Sequence, residues 1–241
     1  MRPNFLILAI IGTSASAQQF QLPAAVGETL PSPLRSVIEK EIAPLFPRPV
    51  GGFSYTVTRK LKFADVSYSI DRECKPTSGG FTLCTSAIVS QNNIVDGQQE
   101  TLLSKSTDLM AGFIPIASSE FLEDGKAGMN SAIQNIATQS SEKAPIGNVS
   151  YTITSRYINR RGNERKDESS PQCKNLGKIP VNFHGISTAE LIRCEFQISS
   201  GLFSQYFFYF SNIGMMIPGG IVDQKYDSLA EEKVTSFKWL K

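Results

Sequence analysis

Four cysteines and one histidine define the chemistry open to this chain. Cys74, Cys84, Cys173 and Cys194 are even in number, lie in segments of alternating apolar and polar residues, and include no CxxC pair. Structural zinc sites draw on closely spaced ligand pairs. The pattern therefore predicts two disulfides and no metal centre. A single histidine, His184, removes most His-based triads and multi-His metal sites together. The sequence has no HExxH, no GxSxG and no GxxxxGK phosphate loop. With all four thiols oxidised, no cysteine nucleophile is left. Glu120, Glu123 and Asp124 lie close together and read as a solvated linker rather than a general acid–base pair. The expectation is a protein that is not an enzyme and needs no cofactor. A secreted hydrolase using a Ser–Lys dyad or a carboxylate pair is the remote alternative.

Recognition chemistry is better represented. Arg156, Arg160, Arg161, Arg165 and Lys166 crowd into RYINRRGNERK, where Gly162 and Asn163 suit a hairpin tip. Such a tip can hold phosphate, an acidic glycan, anionic lipid or an acidic protein face. Asp167 and Glu168 partly offset it. The segment between Cys173 and Cys194 carries His184-Gly185 and reads as an enlarged loop tied by a disulfide, a second candidate contact surface. An extra strand pair is the alternative there, with His184 structural. The third feature is Tyr206-Phe207-Phe208-Tyr209-Phe210. In a strand, its aromatic rings point to both faces, so both need cover. A helix can cover one. The other must meet the other half of the chain, a partner, or an apolar ligand.

These features need a scaffold. The chain has 241 residues, 41% of them hydrophobic and 19% charged, enough for a packed core. A net charge of +2 is too small to steer nucleic acid. Residues 1–17 combine Arg2, the apolar run Phe5–Ile11 and the small-x-small site Ala15-Ser16-Ala17, which is a signal peptide pattern. No segment is apolar for long enough to be a membrane-spanning helix. The chain is therefore expected to be exported, to a periplasmic or extracellular compartment. The Ile, Ala, Gly and Leu mixture of the apolar run favours a bacterial periplasm.

After a flexible leader over 18–31, Ser32-Pro33 and the spacing of Leu34, Val37, Ile38, Ile42 and Leu45 predict a helix over 33–45. Strands follow, with alternation at Phe53, Tyr55 and Val57. Met129, Ile133 and Ile136 predict a second helix over 127–139. Leu229, Val234, Phe237 and Leu240 predict a third over 224–240, clamped by Trp239. SYTVT at 54–58 reappears as SYTIT at 150–154, and Cys74, Cys84 and Ile114-Pro115 have ordered counterparts in Cys173, Cys194 and Ile217-Pro218. This predicts tandem repeat units at 32–124 and 125–222, each with one sequential disulfide, followed by a C-terminal helix over 223–241. The fold class expected is α+β, each unit an antiparallel sheet of about four strands with a packed helix. The functional expectation is an exported, disulfide-stabilised binding protein that recognises a protein or envelope component through its loops. The alternative is a carrier of a hydrophobic ligand with a cavity beside 207–209.

Overall fold

A computed structural model describes residues 20–21, 29–30, 32–46, 51–62, 65–77, 81–95, 98–125, 127–141, 144–198, 201–211, 214–226 and 230–240. The expected signal peptide (1–17) lies outside the described residues, as does most of the leader. The strands are β1 (Phe20–Gln21), β2 (Thr29–Leu30), β3 (Gly52–Leu61), β4 (Ser67–Pro76), β5 (Thr82–Val95), β6 (Gln98–Ala111), β7 (Ile114–Leu122) and β8 (Gly128–Ser141). Beyond them run β9 (Ala144–Ile158), β10 (Glu164–Ser169), β11 (Gln172–Phe183), β12 (Ile186–Ile198), β13 (Gly201–Phe210), β14 (Met215–Pro218) and β15 (Ala230–Leu240). The helices are α1 (Ser32–Val37), continued by a π turn over Ile38–Ile42 and a 3-10 turn over Ala43–Leu45, and the short α2 (Gly219–Val222).

The expected α+β fold of two units, each with its own helix, is overturned. β3 to β15 form one antiparallel sheet of 13 strands, ordered β14-β13-β12-β11-β9-β8-β7-β6-β5-β4-β3-β15, with β10 beside β9. The chain meanders from neighbour to neighbour, and only β15 returns to the far edge, against β3. The boundary expected at 124/125 falls in the turn joining the paired strands β7 and β8.

Two expected helices are strands, and one physical cause accounts for both. In β8 the register slips between Ile133 and Asn135, and buried Ile133 and Ile136 stand three residues apart. In β15 it slips between Val234 and Ser236, and inward-facing Val234 and Phe237 are likewise three apart. A β-bulge inserts one residue and converts two-residue alternation into a three-residue step. That step imitates one turn of an amphipathic helix. Among the described residues of 223–241, a 3-10 turn (Gln224–Tyr226) is the helical structure present, and Trp239 is 44% exposed on β15 rather than clamping a helix.

The segment expected as a helix over 33–45 is helical, but α-helical only over Ser32–Val37, and Leu45, expected on its apolar face, is 39% exposed. Leu34, Val37, Ile38, Ile42 and Phe46 bury against Ile133, Ile136, Val149, Ile192 and Tyr209. Phe46 meets Phe113 edge-on at 5.2 Å and Tyr209 at 5.6 Å. Gly112 makes room for it. Its φ is +56°, and a Cβ there would stand 2.1 Å from the Phe46 ring.

The sheet closes through aromatic packing rather than strand pairing. Phe53 of β3 stacks on Phe237 of β15 at 6.1 Å, Phe237 meets Phe183 of β11 at 5.2 Å, and Phe183 stacks on Phe210 of β13 at 5.5 Å. β13 is thus covered on both faces. Tyr209 packs with the helical segment, while Phe208 and Phe210 pack with Phe53, Tyr55 and Val57. The disulfides pair Cys74 with Cys84 and Cys173 with Cys194, directly opposite one another on adjacent strands. Each belongs to a three-strand row, Phe53–Cys74–Cys84 in one and Val149–Cys173–Cys194 in the other.

Candidate functional site

Inside the rolled sheet a cavity of about 350 Å³ is left. Val57, Ile70 and Ile88 line it from β3, β4 and β5. Ile153, Phe196, Phe207 and Met216 line it from β9, β12, β13 and β14. Met110 and Phe113 lie at the β6–β7 end. These side chains face inward because strand alternation, set by Phe53, Tyr55 and Val57, carries across each pairing in register.

A few polar groups interrupt the apolar wall. Arg72 Nη1 lies 2.7 Å from Asp108 Oδ2 and donates to Ser86 Oγ at 3.1 Å. These side chains are 23% and 22% exposed, so the pair is largely withdrawn from water. Arg59 Nε lies 3.4 Å from Glu232 Oε1 across the β3–β15 pairing. Burial pushes the Tyr55 hydroxyl pKa up, only partly opposed by Arg72. Burial alone would lower the pKa of Arg72, but Tyr55 and Asp108 outweigh it and the net shift is upward. Burial likewise raises the Tyr151 pKa. The wall thus combines apolar surface with two paired cations, two paired anions and several hydroxyls. That chemistry can bind an apolar body and orient a small polar head.

The residues singled out from the sequence are placed elsewhere. The cationic stretch is the β9–β10 hairpin, as its Gly-Asn signal predicts, and the Asn159 side-chain oxygen accepts from the backbone N–H of Arg161 and of Asn163, each at 3.0 Å. Three of its charges meet acids. Arg156 pairs with Glu164 at 2.8 Å, Arg160 with Glu100 at 2.8 Å and Asp124 at 3.8 Å, and Arg165 Nε donates to Asp167 at 2.8 Å. Lys166 is exposed on β10 opposite Arg156. Glu100 and Asp124 come from other hairpins, so sequence distance concealed them. The clustered acids also separate: Glu120 accepts from Ser104 at 2.8 Å, and Glu123 pairs with Lys105 at 3.1 Å.

The enlarged loop expected between Cys173 and Cys194 is instead the β11–β12 hairpin. His184 and Gly185 are its two-residue turn, with φ of +45° and +88°, the geometry that matches strand twist. The His184 ring stacks on Phe237 at 4.3 Å. β11 runs antiparallel to β9, so His184 and the cationic tip lie at opposite ends of the ribbon. No cluster of metal-ligating side chains occurs among the described residues.

Fold and cavity together define a class: a rolled, disulfide-tied antiparallel sheet with an apolar interior space. No family model matches the chain, and no curated protein or solved structure is significantly similar to it. Two disulfides accord with an exported or extracellular protein. No helix among the described residues is long and apolar enough to cross a membrane.

Sequence reasoning missed most of the cavity wall. Among the lining residues, Phe53, Tyr55 and Val57 are legible as an alternating strand and Phe207 as part of the aromatic run beside which a carrier cavity is expected. Arg72 and Asp108 carried a usable signal: each is a charge at an inward position of an alternating strand.

Proposed function

We propose that the chain is a non-enzymatic binding protein that carries an apolar or amphipathic small molecule in the cavity inside its rolled sheet. The cavity is the observation that carries this reading. Its volume, about 350 Å³, lies within the roughly 300–1,000 Å³ usual for small-molecule sites. Its lining is apolar with a few convergent polar groups, the usual composition of such sites. Recognition of an acidic partner by the 156–166 hairpin, the reading that sequence alone favours, has less support. Arg156, Arg160 and Arg165 each lie beside an acid. The disulfides and the expected signal peptide suit a carrier working in the periplasm or outside the cell.

The test uses the full chain, exported and purified with its disulfides intact. Native mass spectrometry should reveal a population carrying the added mass of a lipid-sized molecule. Organic extraction should remove it, and the stripped protein should then take up Nile red with a rise in fluorescence. A bare mass combined with no Nile red response contradicts the proposal.

A further inference from the structure

We infer that the cavity selects uncharged amphiphiles, an apolar body bearing a hydroxyl, carbonyl or amide, over ionised lipids of equal length. The inference rests on the reading that the cavity binds a ligand. Its basis is charge balance. The charged side chains among the described lining residues are Arg59, Arg72, Asp108 and Glu232. They form two opposite-sign pairs, Arg72–Asp108 at 2.7 Å and Arg59–Glu232 at 3.4 Å, and their formal charges cancel. An entering carboxylate must stay uncompensated in a largely apolar cavity or draw Arg72 away from Asp108. The second course strands Asp108 beside apolar walls. Both are costly, because a buried charge is tolerated only when paired. An ammonium head meets the same obstacle with the sign reversed. An uncharged head needs only hydrogen bonds, and the hydroxyls of Ser86 and Ser106 lie on the same wall as the Arg72–Asp108 pair.

The experiment is displacement of Nile red from the stripped, disulfide-intact chain by dodecanol, dodecanoate and dodecyltrimethylammonium. It is run at about pH 8, where an ordinary carboxylic acid is ionised. Dodecanol should displace the dye at roughly tenfold lower concentration than either ion. Asp108→Asn leaves the Arg72 charge unbalanced and should move the preference toward dodecanoate by about tenfold. The double change Arg72→Met with Asp108→Asn should restore the preference for dodecanol. Equal displacement by all three probes with wild-type protein overturns the inference while leaving the carrier reading standing. An unchanged preference in folded Asp108→Asn protein also overturns it. If none of the probes competes and the dye itself does not bind, the carrier reading fails and takes the inference with it. The wild-type comparison decides the matter if Asp108→Asn does not fold.

Discussion

At the scale of single residues, Tyr209 sets two requirements against each other. Its ring fills the junction between Phe46 and Phe113, while its hydroxyl is buried with no hydrogen-bond partner among the described residues. An unmade hydrogen bond at a buried donor carries a desolvation cost. Tyr209→Phe keeps the ring and removes the orphan. It should stabilise the protein by about 1 kcal/mol, read as a higher urea midpoint at unchanged slope. Burial also raises the pKa values of Tyr55, Tyr151 and Tyr209. A raised folded-state pKa means that the native state holds its protons longer than the unfolded chain. The resulting stability is complete below the unfolded value, about pH 10, and is lost as pH rises beyond it. The urea midpoint should therefore fall steeply above about pH 10, and Tyr209→Phe should flatten that fall.

At the scale of elements, the helical segment acts as an apolar filler, and its seat depends on Gly112. Gly112→Ala needs both a strained φ and a displaced Phe46 ring, and should cost about 3 kcal/mol in a chemical denaturation series. Ile38, 1% exposed, should cost a similar amount, about 3 kcal/mol, when cut back to alanine. This element was legible because Leu34, Val37, Ile38 and Ile42 keep a helical spacing, although the π turn shifts its end so that Phe46 is buried where Leu45 was expected. β3 was legible because Phe53, Tyr55 and Val57 alternate without a break. β8 and β15 were not, because a bulge in each replaces alternation by a three-residue step that local reasoning assigns to a helix. Only pairing with β9 and β3 reveals it. The cysteine pairing was legible because both bridges join neighbouring strands of a meander. The cavity was not, because its walls gather side chains from strands spread along the whole sheet order, from β14 through β9 and β6 to β15.

At the scale of the whole molecule, a sheet this long has to be held in its roll. The aromatic seam through Phe53, Phe237, Phe183 and Phe210 does so on one side. The disulfides stiffen two strand pairs whose cysteines face the packed interior. They close sequence separations of 10 and 21 residues, so replacing either pair with alanines should lower stability by about 3 kcal/mol. The account turns on whether the interior space takes up a ligand. Methyl-labelled methionine NMR of the stripped protein, titrated with dodecanol, tests that directly. Met110 and Met216 line the cavity, whereas Met129 on β8 does not. The account predicts saturable shifts of the Met110 and Met216 methyl resonances with Met129 unmoved. Unchanged Met110 and Met216 resonances at saturating dodecanol would contradict it.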